Sequence, residues 1–251
     1  MYSVVIPAYN EERRLPDCLA GLRRVLPGAE IVVADDGSTD ATVRVAEESG
    51  ARVVRLGRNC GKGAAVRAGA LAAQGDKIAV VDADLAVPPE FLKRLFALLD
   101  GADVVLGSRR HPESVIPVPQ PPLRRACGRL FGLAVRVLTG LEFSDTQCGF
   151  KGFTRRAAGL IFSRLEAAGF AFDVEVLLLA RELGLRVLEM PVAWRDGDGS
   201  SVSLRKGVAA FGELARIAIR YRGGAVVVES GAPEDPETAS GKVSRAARAC
   251  L

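Results

Sequence analysis

Residues 30–41 read Glu30-Ile31-Val32-Val33-Ala34-Asp35-Asp36-Gly37-Ser38-Thr39-Asp40-Ala41, and a stretch of helical period follows as far as Ser49. The apolar, β-branched run reads as a strand buried on both faces. Gly37 opens a tight turn, and Ser38 or Thr39 can cap the helix that follows. The same strand–turn–helix unit recurs on both sides. Strands are predicted at Ser3–Ala8, Arg52–Leu56, Lys77–Asp82 and Asp103–Gly107, with helices at Leu15–Leu26, Gly63–Ala73 and Glu90–Leu99 between them. This alternation predicts an α/β chain with a largely parallel sheet. Ligands of such sheets bind beyond the carboxyl ends of the strands.

Beyond Arg109 the pattern changes. Residues 110–122 carry five of the thirteen prolines and predict an extended connection. Then come a helix at Leu123–Leu141, a short strand at Gly149–Thr154, a helix at Asp173–Leu183, a strand at Arg186–Val192 and a helix at Leu204–Tyr221. From Glu229 onward the chain is rich in Ser, Ala, Glu and Pro and predicts a disordered tail. No internal repeat is visible.

Composition narrows the chemistry. The 251 residues, 49% hydrophobic and 25% charged, suffice for one large α/β domain. A net charge of +4 is too mild to indicate nucleic acid and suits a phosphate ligand or an anionic membrane surface. Five scattered cysteines without a Cys-x-x-Cys pair argue against a disulfide framework or a zinc knuckle. His111 is the single histidine, which excludes a His-rich metal site. Catalysis is therefore expected to use carboxylates and a hard cation. No basic leader precedes the first strand, and no run of about 18 apolar residues occurs, so a cytoplasmic location is expected, free or on a membrane surface.

Four segments fall at strand ends in the first half. Pro7-Ala8-Tyr9-Asn10-Glu11-Glu12 follows the first strand, and Asp35-Asp36-Gly37-Ser38-Thr39-Asp40 the second. Asn59-Cys60-Gly61-Lys62-Gly63 opens a helix; it lacks the full P-loop pattern, yet backbone amides and a lysine there suit a phosphate. Asp82-Ala83-Asp84 ends an apolar strand, where alternation would put both carboxylates on one side. Such a pair is costly unless solvated, paired or bound to a cation. A divalent ion held by one or two carboxylates while bridging phosphates fits.

This ordered set resembles the inverting family 2 glycosyltransferases of the GT-A fold, a Rossmann-like sheet. Gly107-Ser108-Arg109, Asp145-Thr146-Gln147-Cys148-Gly149-Phe150-Lys151, Phe172-Asp173-Val174-Glu175 and Pro191-Val192-Ala193-Trp194 resemble the dolichyl-phosphate glucosyl- and mannosyltransferase branch. The resemblance covers roughly residues 3 to 205. It implies a GT-A domain over 1–228, with a nucleotide-sugar half at 1–109 and an acceptor half at 110–228. Pro7, Ala8, Tyr9, Glu11, Asp35, Asp36, Lys62, Asp82 and Ala83 would hold the nucleotide, and Asp82 and Asp84 would hold Mg2+ or Mn2+. Arg109, Gln147, Trp194, Ser200 and Arg205 would meet the acceptor. The implied reaction moves a hexose, glucose first, from UDP-glucose or GDP-mannose to a polyprenyl (dolichyl or undecaprenyl) phosphate. One departure stands out: Gly199-Ser200 is followed by Ser201, where the family often has a basic residue.

A phosphate acceptor is already an oxyanion near neutral pH and needs arginine and metal rather than a general base. A hydroxyl acceptor would need a carboxylate, for which Asp145, Asp173 and Glu175 are the candidates. Asp173 and Glu175 can equally be favourable charges at a helix amino terminus. A non-catalytic nucleotide-sugar binder is a third reading, against which both Asp82 and Asp84 argue.

Two late helices carry basic and apolar faces. In the first, Leu123, Cys127, Leu130, Ala134, Leu138 and Leu141 would share one face opposite Arg125, Arg129 and Arg136. In the second, Val208, Phe211, Ala215 and Ala218 would oppose Lys206, Arg216 and Arg220. Either helix can lie in a membrane interface or simply cover the core.

Overall fold

The computed structural model describes residues 1–117, 122–195 and 204–222. Seven strands and eight helices follow one another as β1 (Tyr2–Ala8), α1 (Leu15–Val25), β2 (Glu30–Asp35), α2 (Thr42–Glu48), β3 (Arg52–Arg55), α3 (Lys62–Ala72), β4 (Lys77–Val80), α4 (Phe91–Leu98), β5 (Val104–Ser108), α5 (Pro122–Thr139), β6 (Lys151–Thr154), α6 (Arg155–Arg164), α7 (Phe172–Glu182), β7 (Val187–Pro191) and α8 (Leu204–Arg222). They form one sheet in the order β3-β2-β1-β4-β6-β5-β7. Every pair is parallel except those of β6, which runs against both β4 and β5.

That single reversal builds the functional edge. Ala8 pairs with Asp35, Asp35 with Arg55, and Val5 with Val80, so the carboxyl ends of β1 to β4 lie side by side. Because β6 is antiparallel, its first residue, Lys151, sits opposite Val80 and Leu106 at the same edge. Ser108 pairs with Pro191, completing the row. Residues 145–150, just before β6, are thereby delivered to the ends of β4 and β5. A β6 from the second half also lies between β4 and β5 of the first, so one sheet carries both.

Strand alternation divides the core into two layers. Val5, Val32, Ile78, Val80, Val104 and Leu106 face a layer with α3 and α5 to α8. Val4, Ile6, Ile31, Val33, Ala79 and Val105 face another with α1 and α4. Helix α1 buries Leu15, Cys18, Leu19, Leu22 and Val25, the i, i+3, i+4, i+7 stripe its sequence predicts. Helix α7 is buried at every residue from Phe172 to Ala180.

Four elements differ from expectation. Helix α6 was not foreseen, although Thr154 caps it by accepting from Ala157 N at 3.2 Å, and Ala157, Ala158, Ile161 and Phe162 give it a buried side. Strand β4 stops at Val80, because Leu85 N turns back onto the Asp82 carbonyl at 3.1 Å and Leu85 takes φ 46°. Asp82 and Asp84 thus stand in a turn, not on alternating strand positions. On α5 the buried side chains are Phe131 and Val135, whereas Leu130, Leu133 and Val137 are exposed beside Arg125, Arg129 and Arg136. The single apolar face expected is thereby split: Cys127 and Leu130 point outward, whereas Ala134, Leu138 and Leu141 turn toward the core. Phe131 packs edge-on against Phe211 of α8 at 5.1 Å. On α8, Ala210, Leu214, Ile217 and Ala218 are buried and Ala215 is exposed, a turn of the face relative to expectation.

Candidate active site

The first two segments are cross-linked to each other. Asn10, at φ 56°, donates its amide to Ser38 Oγ at 2.9 Å, and its side-chain oxygen accepts from Thr39 N at 2.9 Å. Glu11 N donates to Thr42 Oγ1 at 2.8 Å, and Glu12 accepts from Ala41 N at 2.9 Å. Ser38 and Thr39 therefore do not cap α2; Asp40 takes the Thr42 amide at 2.9 Å instead. The buried Asp35 receives Ser38 N at 3.3 Å. Tyr9 remains 43% exposed at the mouth of the edge.

Asp36 reaches across to the third segment. Its two oxygens accept from Cys60 N at 2.7 Å and Gly61 N at 2.9 Å, while burial pushes its carboxyl above the usual range despite these amides. Ala64 N is taken by the Ala168 carbonyl at 3.2 Å. The amides of Cys60, Gly61 and Ala64 are thus engaged within the protein. The lysine is what the segment offers: Lys62 Nζ lies 2.6 Å from Asp82 Oδ1. Burial works against the Lys62 charge, and Asp82, with Asp173 behind it, outweighs burial and raises its pKa.

Around the fourth segment the charges are unequal. Burial would raise the Asp82 carboxyl, but the Lys62 ammonium, with Lys151 and Arg109 further off, holds it below the usual range. Asp84, exposed, has its carboxyl raised by partial desolvation and by the charge of Asp82. Glu11, bonded to Arg14 at 3.0 Å, is raised by burial and by Asp84 and Asp82. The donor set suits a hard divalent ion: two carboxylates of unequal pairing, with acidic excess that a cation would relieve. Among the described residues no three His, Cys, Asp or Glu side chains could hold a metal by themselves. Asp82 and Asp84 would therefore share it with phosphate oxygens.

Opposite stands a second ion-paired group. Arg109 grips Asp145 with Nε at 2.6 Å, Nη2 at 2.8 Å and its own amide at 3.0 Å. Burial would raise Asp145, but the guanidinium outweighs it and holds the carboxyl at about 2. Trp194 lies under the guanidinium at 5.5 Å, a cation–π contact. Asp145 Oδ1 also accepts from Gln147 N at 3.2 Å, which sets the turn carrying the half-buried Gln147. Gly149 meets Asp82 directly: a Cβ there would fall 2.1 Å from Asp82 Oδ2, so only glycine admits the carboxylate. Burial pushes the Cys148 thiol up to about 11 and that of Cys18 up to about 12, so neither is a thiolate nucleophile at neutral pH.

Asp173 and Glu175 part company. Asp173 is buried, with Lys151 Nζ 2.6 Å from Oδ1, an ion contact without aligned hydrogen-bond geometry. Burial, against Lys151 and Lys62, raises its carboxyl. Glu175, fully buried, has both oxygens engaged by Glu166 N, Ala167 N, Arg220 and Tyr221. It is not placed to take a proton from an acceptor. Ser200 and the Arg205 side chain lie outside the described residues, as does the tail from Glu229.

The model of glycosyl transferase family 2 matches residues 3–162, which include all four amino-terminal segments and the 145–151 run. The chain belongs to that family. Among family relatives, dolichyl-phosphate beta-glucosyltransferase of Drosophila melanogaster is 40% identical over 224 residues, covering 80% of this chain and 69% of that one. The enzyme of the same name from Homo sapiens is 36% identical over 223 residues, covering 80% and 69%. That from Dictyostelium discoideum is 34% identical over 242, covering 87% and 74%. Of solved structures, glucosyl-3-phosphoglycerate synthase from Mycobacterium tuberculosis in complex with phosphoglyceric acid superposes with a TM-score of 0.68 at 24% identity, covering 87% of this chain and 80% of that one. The same synthase with Mn2+, UDP-glucose and phosphoglyceric acid gives 0.65 at 23%, covering 87% and 79%. The fold is GT-A, and the chain is a glycosyltransferase.

Sequence reasoning passes over three residues of this candidate site. Lys151, which closes the 145–151 motif, is buried between Asp173 and the Cys148 carbonyl. A lysine at the start of a short strand between two apolar ones was the available signal. Asn10, which joins the first two segments, and Glu189, which accepts from Ser144 Oγ at 2.6 Å and Asp145 N at 3.2 Å, had no signal beyond position. Cys18, Cys127 and Cys148 are free thiols.

Proposed function

We propose that this glycosyltransferase moves glucose from a nucleoside diphosphate sugar, UDP-glucose first, to a polyprenyl phosphate with inversion, at a cytoplasmic membrane face. The names of the relatives support the glucose and the lipid phosphate. The observation that carries the phosphate acceptor is the state of the site's carboxylates. Asp145 is locked to Arg109 at about 2, Asp173 is buried against Lys151, and Glu175 has both oxygens engaged. No carboxylate of that group is set to act as a base, which a hydroxyl acceptor would require. A phosphate monoester, ionised above about pH 6, requires none.

Pro7, Ala8, Tyr9, Glu11, Asp35 and Asp36 form the nucleotide end, Asp36 acting by holding residues 60–61. Lys62 meets the diphosphate, leaving Asp82 as it does so. Mg2+ or Mn2+ bound by Asp82 and Asp84 would supply Lewis-acid stabilisation to the departing diphosphate. Arg109, oriented by Asp145 and Trp194, receives the acceptor phosphate, with Gln147 beside it and Ser200 and Arg205 completing the acceptor side. Arg125, Arg129 and Arg136, set among the exposed Leu130, Leu133 and Val137, would lay α5 on an anionic membrane. Among the described residues no helix is long and apolar enough to cross one.

The test measures nucleoside diphosphate release from UDP-glucose and GDP-mannose, with a polyprenyl phosphate and Mn2+ or Mg2+. Turnover of UDP-glucose that depends on the lipid phosphate and stops in chelator is expected. Turnover only with a sugar hydroxyl acceptor would refute the reading.

A further inference from the structure

Residues 165–171 connect α6 to α7 without regular structure, yet their amides are held by two glutamates from different helices. Glu175 Oε2, on α7, accepts from Glu166 N at 3.1 Å and Ala167 N at 2.5 Å. Glu213, on α8, accepts from Gly169 N at 2.8 Å and Ala171 N at 2.9 Å. The other oxygen of Glu175 receives Arg220 Nη1 at 2.6 Å and the Tyr221 hydroxyl at 3.2 Å. Arg220 also bridges to Glu166 at 3.0 Å. Two carboxylates thus take four amides of one short loop. Charge-assisted bonds of this kind are stronger than neutral ones and fix peptide planes.

Those planes press on the first turn of α3. A Cβ on Gly61, which sits at φ 105°, would fall 2.4 Å from the Ala168 carbonyl oxygen. One on Gly63 would fall 2.4 Å from the Ala167 oxygen. Ala64 N donates to the Ala168 oxygen at 3.2 Å. Lys62 stands between the two glycines, with its ammonium 2.6 Å from Asp82. The glycines of this segment are therefore required by the loop that backs it. The loop in turn is shaped by Glu175 and Glu213.

We infer that Glu175 and Glu213 are positioning residues for Lys62, acting through the 165–171 loop on the start of α3. The role in turnover rests on Lys62 meeting the donor diphosphate, as proposed above. Small displacements of a positioned group cost large factors in rate or binding. The inference gives Glu175 a part different from a general base and brings α8, remote in sequence, into the donor side.

Glu213→Gln tests it, since the amide keeps one acceptor oxygen and sets an N–H donor against the other loop amide. In the folded variant the KM for UDP-glucose should rise about tenfold, the worth of one such hydrogen bond. The KM for polyprenyl phosphate and kcat should stay near wild type. A second readout needs no turnover. Lys62 acetylation under limiting reagent, measured by mass spectrometry relative to the exposed Lys93, should become several-fold faster in the variant. If the wild type does not use UDP-glucose, the functional reading fails while the labelling still decides the positioning. An unchanged Lys62-to-Lys93 ratio in folded Glu213→Gln overturns the inference whatever the kinetics. Should that variant not fold, Tyr221→Phe removes a single bond from Glu175 and is read in the same way. A wild-type labelling ratio there overturns it too.

Discussion

Asp84 and Asp145 are both carboxylates of the functional edge, and pH should separate them. The Asp84 carboxyl is raised, so its ionised form is disfavoured in the fold and weakens the protein once pH passes the folded pKa. Asp84→Asn should therefore leave thermal stability at pH 7 equal or slightly higher while reducing metal-dependent turnover at least a hundredfold, about the loss of one strong charge contact. A clear fall in melting temperature would contradict this. Asp145 is depressed to about 2, so its contribution is present above its unfolded pKa of about 4 and is lost as pH falls from there to about 2. Melting curves of Asp145→Asn should lack that acid-dependent loss, and its rate–pH profile should show no missing base. A thousandfold fall in rate with normal binding would instead mark Asp145 as a base. Arg109→Lys should raise the acceptor KM about tenfold or more and leave donor KM alone, because lysine cannot hold Asp145 and the phosphate with one planar fork. At this scale the sequence was informative about identity and poor about state. Asp82, Asp84, Lys62 and Arg109 were legible because each ends or follows a strand. That Asp36 consumes the amides of residues 60–61, or that α8 holds Glu175, depends on contacts 24 to 46 residues apart.

Helices and strands were legible where the pattern is unambiguous, as in the single buried stripe of α1 and the doubly buried apolar run of β2. Helix α5 defeated the same reasoning because it is apolar on two sides. Phe131 and Val135 face the core while Leu130, Leu133 and Val137 face out, and pattern alone does not say which stripe turns inward. The two stripes should behave differently. Phe131→Ala should cost about 3–5 kcal/mol of stability, as deletions of a buried aromatic do, and spare vesicle binding by any molecules that remain folded. Leu130→Gln with Leu133→Gln should leave the melting temperature within a degree or two and weaken pelleting with anionic vesicles. Replacing Arg125, Arg129 and Arg136 by Glu should release the protein from such vesicles, each arginine contributing on the order of 1 kcal/mol near an anionic surface. Equal pelleting of all three variants would show that this face is only solvated. Helix α6 went unseen for a different reason: the double arginine at its start hides a stripe of Ala157, Ala158, Ile161 and Phe162.

Across the whole molecule, alternation along the first hundred residues foretold the parallel sheet but not the reversal of β6, since strand direction leaves no mark on a four-residue segment. The reversal makes the two halves inseparable. A fragment ending at Arg109 would leave the inner edges of β4 and β5 open, each with unpaired backbone groups. Such a fragment should show no cooperative thermal transition by circular dichroism and should associate at micromolar concentration; a sharp two-state melt of monomer would refute this. The inserted strand also dictates an order of assembly. During synthesis the chain emits every residue of the nucleotide end before residue 110, yet β4 and β5 have no common neighbour until Lys151–Thr154 emerges some forty residues later. Pairings that span such separations are slow to form. A nascent chain therefore passes through an interval in which the residues proposed to hold the donor are complete and its sheet is not. A stop codon anywhere in that interval removes the nucleotide site as surely as one placed inside it.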